Sequence, residues 1–166
     1  MLVPDGLATH LAGLAVPIAC EVYWTRWQPA QPHLPQVWDT HPYLFDSADS
    51  IVRLREPGTY SVNGLGACTF VERKVLEAGV SFDPIPGIPW EMEDRWFCVR
   101  AAAAGFTLWA DTAMPPFHVY RQAQLPEARQ WALAGCRNDY FRERWLDVSW
   151  EQTIRAAMRT VPRPGA

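Results

Sequence analysis

Leu7, Leu11 and Leu14 recur at helical spacing behind Pro4, which predicts a short helix over residues 5–15. Pro17 ends it, and the β-forming run "IACEVYW" (residues 18–24) predicts a strand. The next stretch, "TRWQPAQPHLPQVWD", holds Pro29, Pro32 and Pro35 and predicts an extended surface loop, flanked or occupied by Trp24, Trp27 and Trp38. Short strands are expected at Tyr43–Phe45, Ile51–Leu54 and Thr59–Val62, separated by polar turns. A glycine turn at Gly64–Gly66 then leads into a strand at Ala67–Val71 and a helix near Arg73–Ala78, which Gly79 terminates. "PIPGIPW" cannot be regular structure.

A helix from about Glu93 to Ala104 follows, closed by Gly105, and "FTLWAD" is the next strand. Pro126 can open a helix with Leu133, Cys136 and Tyr140 along one side. A second helix would carry Trp150, Ile154, Met158 and Val161, with Arg155 and Arg159 on another face. That arginine stripe reads most simply as solvated, with a membrane surface or a partner as the alternative. The pattern divides the chain into a mixed portion over residues 1–122, a helical extension over 123–161 and a frayed tail over 162–166.

Composition narrows the function classes. Eighteen acidic residues against fifteen basic ones give a net charge of −3, which argues against a nucleic-acid partner. The longest apolar stretch, "LAGLAVPIAC", is interrupted by Gly13 and Pro17 and is too short to span a bilayer, and no basic n-region precedes it. Cys20, Cys68, Cys98 and Cys136 lie far apart with no Cys-x-x-Cys pair, so reduced thiols in a cytoplasmic protein are expected in place of a zinc knot or a disulfide framework. Nine tryptophans and fifteen prolines point to aromatic packing surfaces joined by stiff loops.

The chemistry concentrates in "WEMEDRWFCVRA" (residues 90–101), where Glu91, Glu93 and Asp94 crowd the start of a helix. Carboxylates in a first helical turn complement the macrodipole and satisfy free N–H groups, and that alone accounts for one or two of them. Asp94, Cys98 and Ala101 share one helix face, which leaves Asp94 beside a Pro/Gly loop where a substrate could approach a base. Two carboxylates adjacent in one turn diverge, which disfavours a paired-carboxylate hydrolase.

Residues 64–118 resemble the second half of the GT-A nucleotide-sugar glycosyltransferases, above all the large inverting family 2. "GLGACTFVERKVLEAGVSFDP", "MEDRWFCVRAAAAGFTLWAD" and "FHVYR" occur in that family's order and at its spacing. The opening "MLVPDGLATHLAGLAVPIACEVYW" is similar to the segment that follows the family's Asp-x-Asp motif. The resemblance implies an α/β fold: a partial GT-A domain, Rossmann-like with a mixed sheet, lacking the N-terminal nucleotide-binding half and followed by C-terminal helices. It implies that Asp94 is the general base toward an acceptor hydroxyl, with Glu93 orienting the acceptor or starting the helix. Trp90, Gly64 and Gly66 match positions that shape the acceptor and donor-sugar pocket, and a plain tight turn explains the glycines equally well.

His118 matches a His that helps hold a divalent cation or the diphosphate. A Mn²⁺ or Mg²⁺ cofactor is implied only if the Asp-x-Asp half is supplied, because hard cations need carboxylate oxygens and no Asp-x-Asp occurs here. Asp5 matches a helix-start Asp whose task is capping. The implied partners are a nucleotide-sugar donor and a hydroxyl acceptor, with self-association or a complementing N-terminal half as further expectations. The favoured expectation is a start upstream of Met1. The alternative function is a non-catalytic carbohydrate- or protein-binding module that uses Trp24, Trp27 and Trp38. The expected location is cytoplasmic, with a peripheral membrane association as the variant.

Overall fold

Ile18–Glu21 (β1) is buried at all four positions, and the rest of the fold is arranged around it. A computed structural model describes residues 1–25, 33–38, 52–88 and 93–136. Further strands are Trp24–Thr25 (β2), Leu34–Pro35 (β3), Val37–Trp38 (β4), Thr59–Val62 (β5), Gly64–Leu65 (β6), Thr69–Val71 (β7) and Leu108–Asp111 (β8). The helices are Leu7–Gly13 (α1), Arg73–Glu77 (α2), Glu93–Ala103 (α3) and Leu125–Leu133 (α4), the last preceded by a 3₁₀ turn at Gln122–Gln124. The main sheet runs β5-β8-β1-β7. It is mixed: β1 lies parallel to β8, while β7 and β5 are antiparallel on the two outer sides. The chain is thus mixed α/β with a mixed sheet.

The alternation of side chains along β1 separates two apolar layers. Ile18, Cys20 and Val22 join Phe97, Cys98 and Ala101 of α3 and Leu108 and Ala110 of β8 in the main core. Ala19 faces the other way and packs with Leu7 and Leu11 of α1. Burying those two leucines contributes about 1.5–3 kcal/mol each. They are needed, because Gly6 sits at the start of α1 with φ 80° and no side chain caps the helix. The expectation that Asp5 caps α1 is therefore corrected: a left-handed glycine takes the cap position.

Helix α3 matches the expected Glu93–Ala104 to within one residue, and Gly105 ends it at φ 83°. Its link to the next segment is specific. The Leu65 N–H donates to Cys98 Sγ at 3.2 Å, fixing α3 against β6. Arg100 adds a second tie by donating from Nη2 to the Pro84 carbonyl at 3.3 Å.

Several sequence expectations change in three dimensions. The strand expected over 18–24 is split, with β1 ending at Glu21 and β2 resuming at Trp24. Residues expected as the Ile51–Leu54 strand turn back on themselves through Arg55 N–H to Val52 C=O and Glu56 N–H to Arg53 C=O, both at 3.1 Å. Leu54 is buried in the main core and Val52 packs against it from this turn. Part of the proline-rich loop forms pairs instead: β3 with β2, and β4 with β6. On α4 the inward face is Ala128 and Trp131, whereas Leu133 is 82% exposed. Trp131 meets Phe117 with ring centroids 5.9 Å apart, so α4 shares the main core. Tyr43–Phe45, Trp27, Trp90, Glu91, Tyr140 and the helix expected around residues 150–161 lie outside the described residues. Among the described residues no helix is long and apolar enough to cross a membrane.

Candidate functional site

The described structure gathers chemistry at two places, one on each face of the main sheet. The first surrounds Asp94. As the second residue of α3, it follows the proline-rich loop and precedes two inward residues, Phe97 and Cys98. The helix face that buries Cys98 therefore draws Asp94 partly inward, and its Oδ1 is buried without a hydrogen-bond partner. Burial pushes the Asp94 pKa up, and the Glu93 charge adds to this, against the Arg95 N–H and guanidinium. Glu93 itself is exposed at the helix start.

Tyr23 is the residue that the sequence alone did not single out. It follows β1, is 8% exposed, and interacts electrostatically with Asp94. Burial, foremost, raises its hydroxyl to about 12, so it is a neutral hydrogen-bonding group. Its ring stands edge-on to His118 with centroids 5.2 Å apart. The Ala67 N–H donates to its hydroxyl at 3.5 Å. Tyr23 thus joins Asp94, the glycine segment and His118. A polar aromatic inside the β-forming run 18–24 was the available signal.

Gly64 and Gly66 are packed against the protein's own groups. A Cβ on Gly64 would stand 1.7 Å from Trp38 Cε2, and one on Gly66 would stand 2.7 Å from the Gln36 carbonyl and 2.9 Å from the Tyr23 hydroxyl. Their missing side chains are filled by the protein itself. The expected glycine turn is β6, a strand segment packed face-on against an aromatic ring. Trp38 also receives the Arg95 guanidinium at 5.0 Å from its ring centroid, which ties β4 to α3.

His118 lies between Tyr23 and Thr25, with Thr25 Oγ1 and His118 Nδ1 at 2.8 Å. Burial lowers its pKa, so the ring is neutral near pH 7. Among the described residues the group that could hold a cation is His10, Glu21 and Asp111, which does not include His118.

Compared with models of known protein families and with curated proteins, the sequence matches none. The site must be understood from its own geometry.

The second cluster was not anticipated from sequence. Glu21 and Asp111 are opposite one another at the carboxyl ends of the parallel strands β1 and β8. Both point toward α1, whose His10 Nε2 lies 2.7 Å from Asp111 Oδ1. Thr59 donates to Asp111 Oδ2 at 2.8 Å, and the Ala113 N–H to Oδ1 at 3.1 Å. Burial acts to raise the Asp111 pKa, but the bonds from His10, Thr59 and Ala113 outweigh it and hold the group below the usual carboxylate value. Glu21 is fully buried and behaves oppositely. Burial, then the Asp111 charge, pushes it up to about 9, although the Met114 N–H donates to its Oε1 at 2.6 Å. A side-chain hydrogen bond with Asp111 adds to the upward shift, and no N–H or hydroxyl of the described residues donates to Oε2.

The tryptophans of the binding-module alternative divide as well. Trp24 is buried in the main core, Trp38 is half-buried against Gly64, and Trp27 lies outside the described residues.

Proposed function

We propose that this chain carries the acceptor side of an inverting GT-A-type glycosyltransferase, transferring a sugar from a nucleotide-sugar donor to an acceptor hydroxyl with Asp94 as general base. The observation that supports the reading most is the buried, unpartnered Oδ1 of Asp94 at the start of α3. Leaving such an atom without a partner costs about 1–3 kcal/mol, and an incoming hydroxyl would supply the missing donor. A carboxylate with a raised pKa is also a better proton acceptor than an ordinary one.

In that reaction Asp94 Oδ1 takes the hydroxyl proton as the acceptor oxygen bonds to the anomeric carbon. The bond from that carbon to the diphosphate oxygen breaks with its electron pair on the leaving nucleoside diphosphate, and the configuration inverts. Tyr23, neutral and beside Asp94, orients the acceptor, and Thr25 fixes the ring of His118.

The experiment is turnover. The chain, alone and supplemented with a donor-binding segment bearing Asp-x-Asp, is incubated with nucleotide-sugars and a saccharide acceptor panel, and nucleoside diphosphate release is followed. Asp94→Asn should abolish acceptor-dependent release while leaving the fold and donor affinity intact. Retained turnover in that variant refutes the base assignment, and saccharide binding with no turnover under any condition favours the non-catalytic binding module.

A further inference from the structure

We propose that His10, Glu21 and Asp111 form a binding site for a divalent transition-metal cation of the Zn²⁺ or Mn²⁺ class. One ligand atom from each residue lies within 4.8 Å of the other two. An ion about 2.1 Å from every ligand needs ligands about 3–4 Å apart, so side-chain adjustments of about an ångström close the site. The three residues come from three elements, α1, β1 and β8, and meet beyond the carboxyl ends of two parallel strands, where open α/β sheets place their ligands.

Glu21 supplies the independent indication. It is 0% exposed, yet no N–H or hydroxyl of the described residues donates to its Oε2. Two buried carboxylates side by side are costly, and the side-chain hydrogen bond between Glu21 and Asp111 offsets that cost in the absence of an ion; a dication can take the place of the shared proton. The outer groups suit the same role. Thr59 holds Asp111 Oδ2 and the Met114 N–H holds Glu21 Oε1, while the Ala113 N–H holds Asp111 Oδ1 facing His10 Nε2.

The donor set selects the ion. A neutral imidazole and two carboxylates give a charge of −2 that a dication neutralises, and the nitrogen ligand favours borderline metals over Mg²⁺ or Ca²⁺. On binding, the Glu21 carboxyl proton passes to solvent and the His10 proton resides on Nδ1, leaving Nε2 to coordinate. The His10 side chain, 30% exposed, provides the way in. The site stands apart from Asp94, because α1 and α3 cover opposite faces of the sheet.

The full chain, stripped with chelator, is titrated calorimetrically with ZnCl₂, MnCl₂ and MgCl₂, with thermal melts in parallel. One-to-one uptake of Zn²⁺ or Mn²⁺ with a raised Tm is expected. It should be lost in Glu21→Gln, which preserves side-chain shape and the Met114 bond, and in His10→Ala, with circular dichroism confirming the fold of each. Asp83→Asn, at an exposed carboxylate, should bind as the parent does. Absence of uptake by the parent overturns the proposal, as does uptake undiminished in both cluster variants. Preference for Mg²⁺ over both transition metals overturns the choice of ion.

Discussion

Gly64→Ala isolates the packing of the glycine segment. The added Cβ would lie 1.7, 2.0 and 2.2 Å from Trp38 Cε2, Nε1 and Cζ2. Carbon atoms rest about 3.5–4.0 Å apart, so the indole must retreat by about 2 Å. It cannot do so freely, because the Trp38 carbonyl accepts from Asn63 N–H at 2.9 Å and its ring receives Arg95. Overpacking of this kind costs about 1–3 kcal/mol, and occasionally more. In a domain of this size each kcal/mol lowers Tm by about 2–4 °C. The assay is thermal melting by circular dichroism for Gly64→Ala, Trp38→Leu and the double variant. Trimming Trp38 opens the space, so the alanine should cost much less in the Trp38→Leu background. An unchanged Tm for Gly64→Ala, or an equal cost in both backgrounds, would refute the packing argument. A glycine kept for ligand approach would instead leave Tm unchanged and weaken binding.

Three further outcomes are expected. Burial raises the Asp94 pKa, so the folded chain keeps that proton to higher pH than the unfolded one; its contribution is full below the unfolded value of about 3.9 and is lost as pH rises through the folded value. Asp94→Asn should therefore raise Tm at pH 7 and have little effect near pH 4; equal effects at both pH values would contradict the desolvation argument. Cys98, held near 12 by burial, and the fully buried Cys20 should resist native-state alkylation at pH 8, with the half-buried Cys68 and Cys136 modified first; mass mapping of the adducts that found Cys98 modified first would contradict its burial. Trp131→Ala should cost about 3–5 kcal/mol while Leu133→Ala stays within about 0.5 kcal/mol in denaturant titrations, and equal costs would overturn the assigned face of α4.

Strong local patterns were legible in the chain. The leucine spacing of α1, the carboxylate start and glycine stop of α3, and the "LWAD" strand each follow from residues a few positions apart, where propensity and capping act. The same holds for Asp94 as a first-turn carboxylate with Cys98 and Ala101 inward. Where one face alone decides, pattern failed. Leu133 looked like a core residue until Trp131 took the inward position, and Val52–Glu56 closed local i→i+3 bonds where a strand was expected.

The sequence by itself thus determined short-range order: which segments coil, where helices begin and end, and which carboxylates stand at a helix start. Only the tertiary structure decided what meets. Gly64 is filled by Trp38, Tyr23 bridges Asp94 and His118, and Glu21 and Asp111 face each other across 90 positions of chain with His10 above them. Those meetings depend on strand register, and a shift of one residue would turn Glu21 and Asp111 toward the opposite face of the sheet.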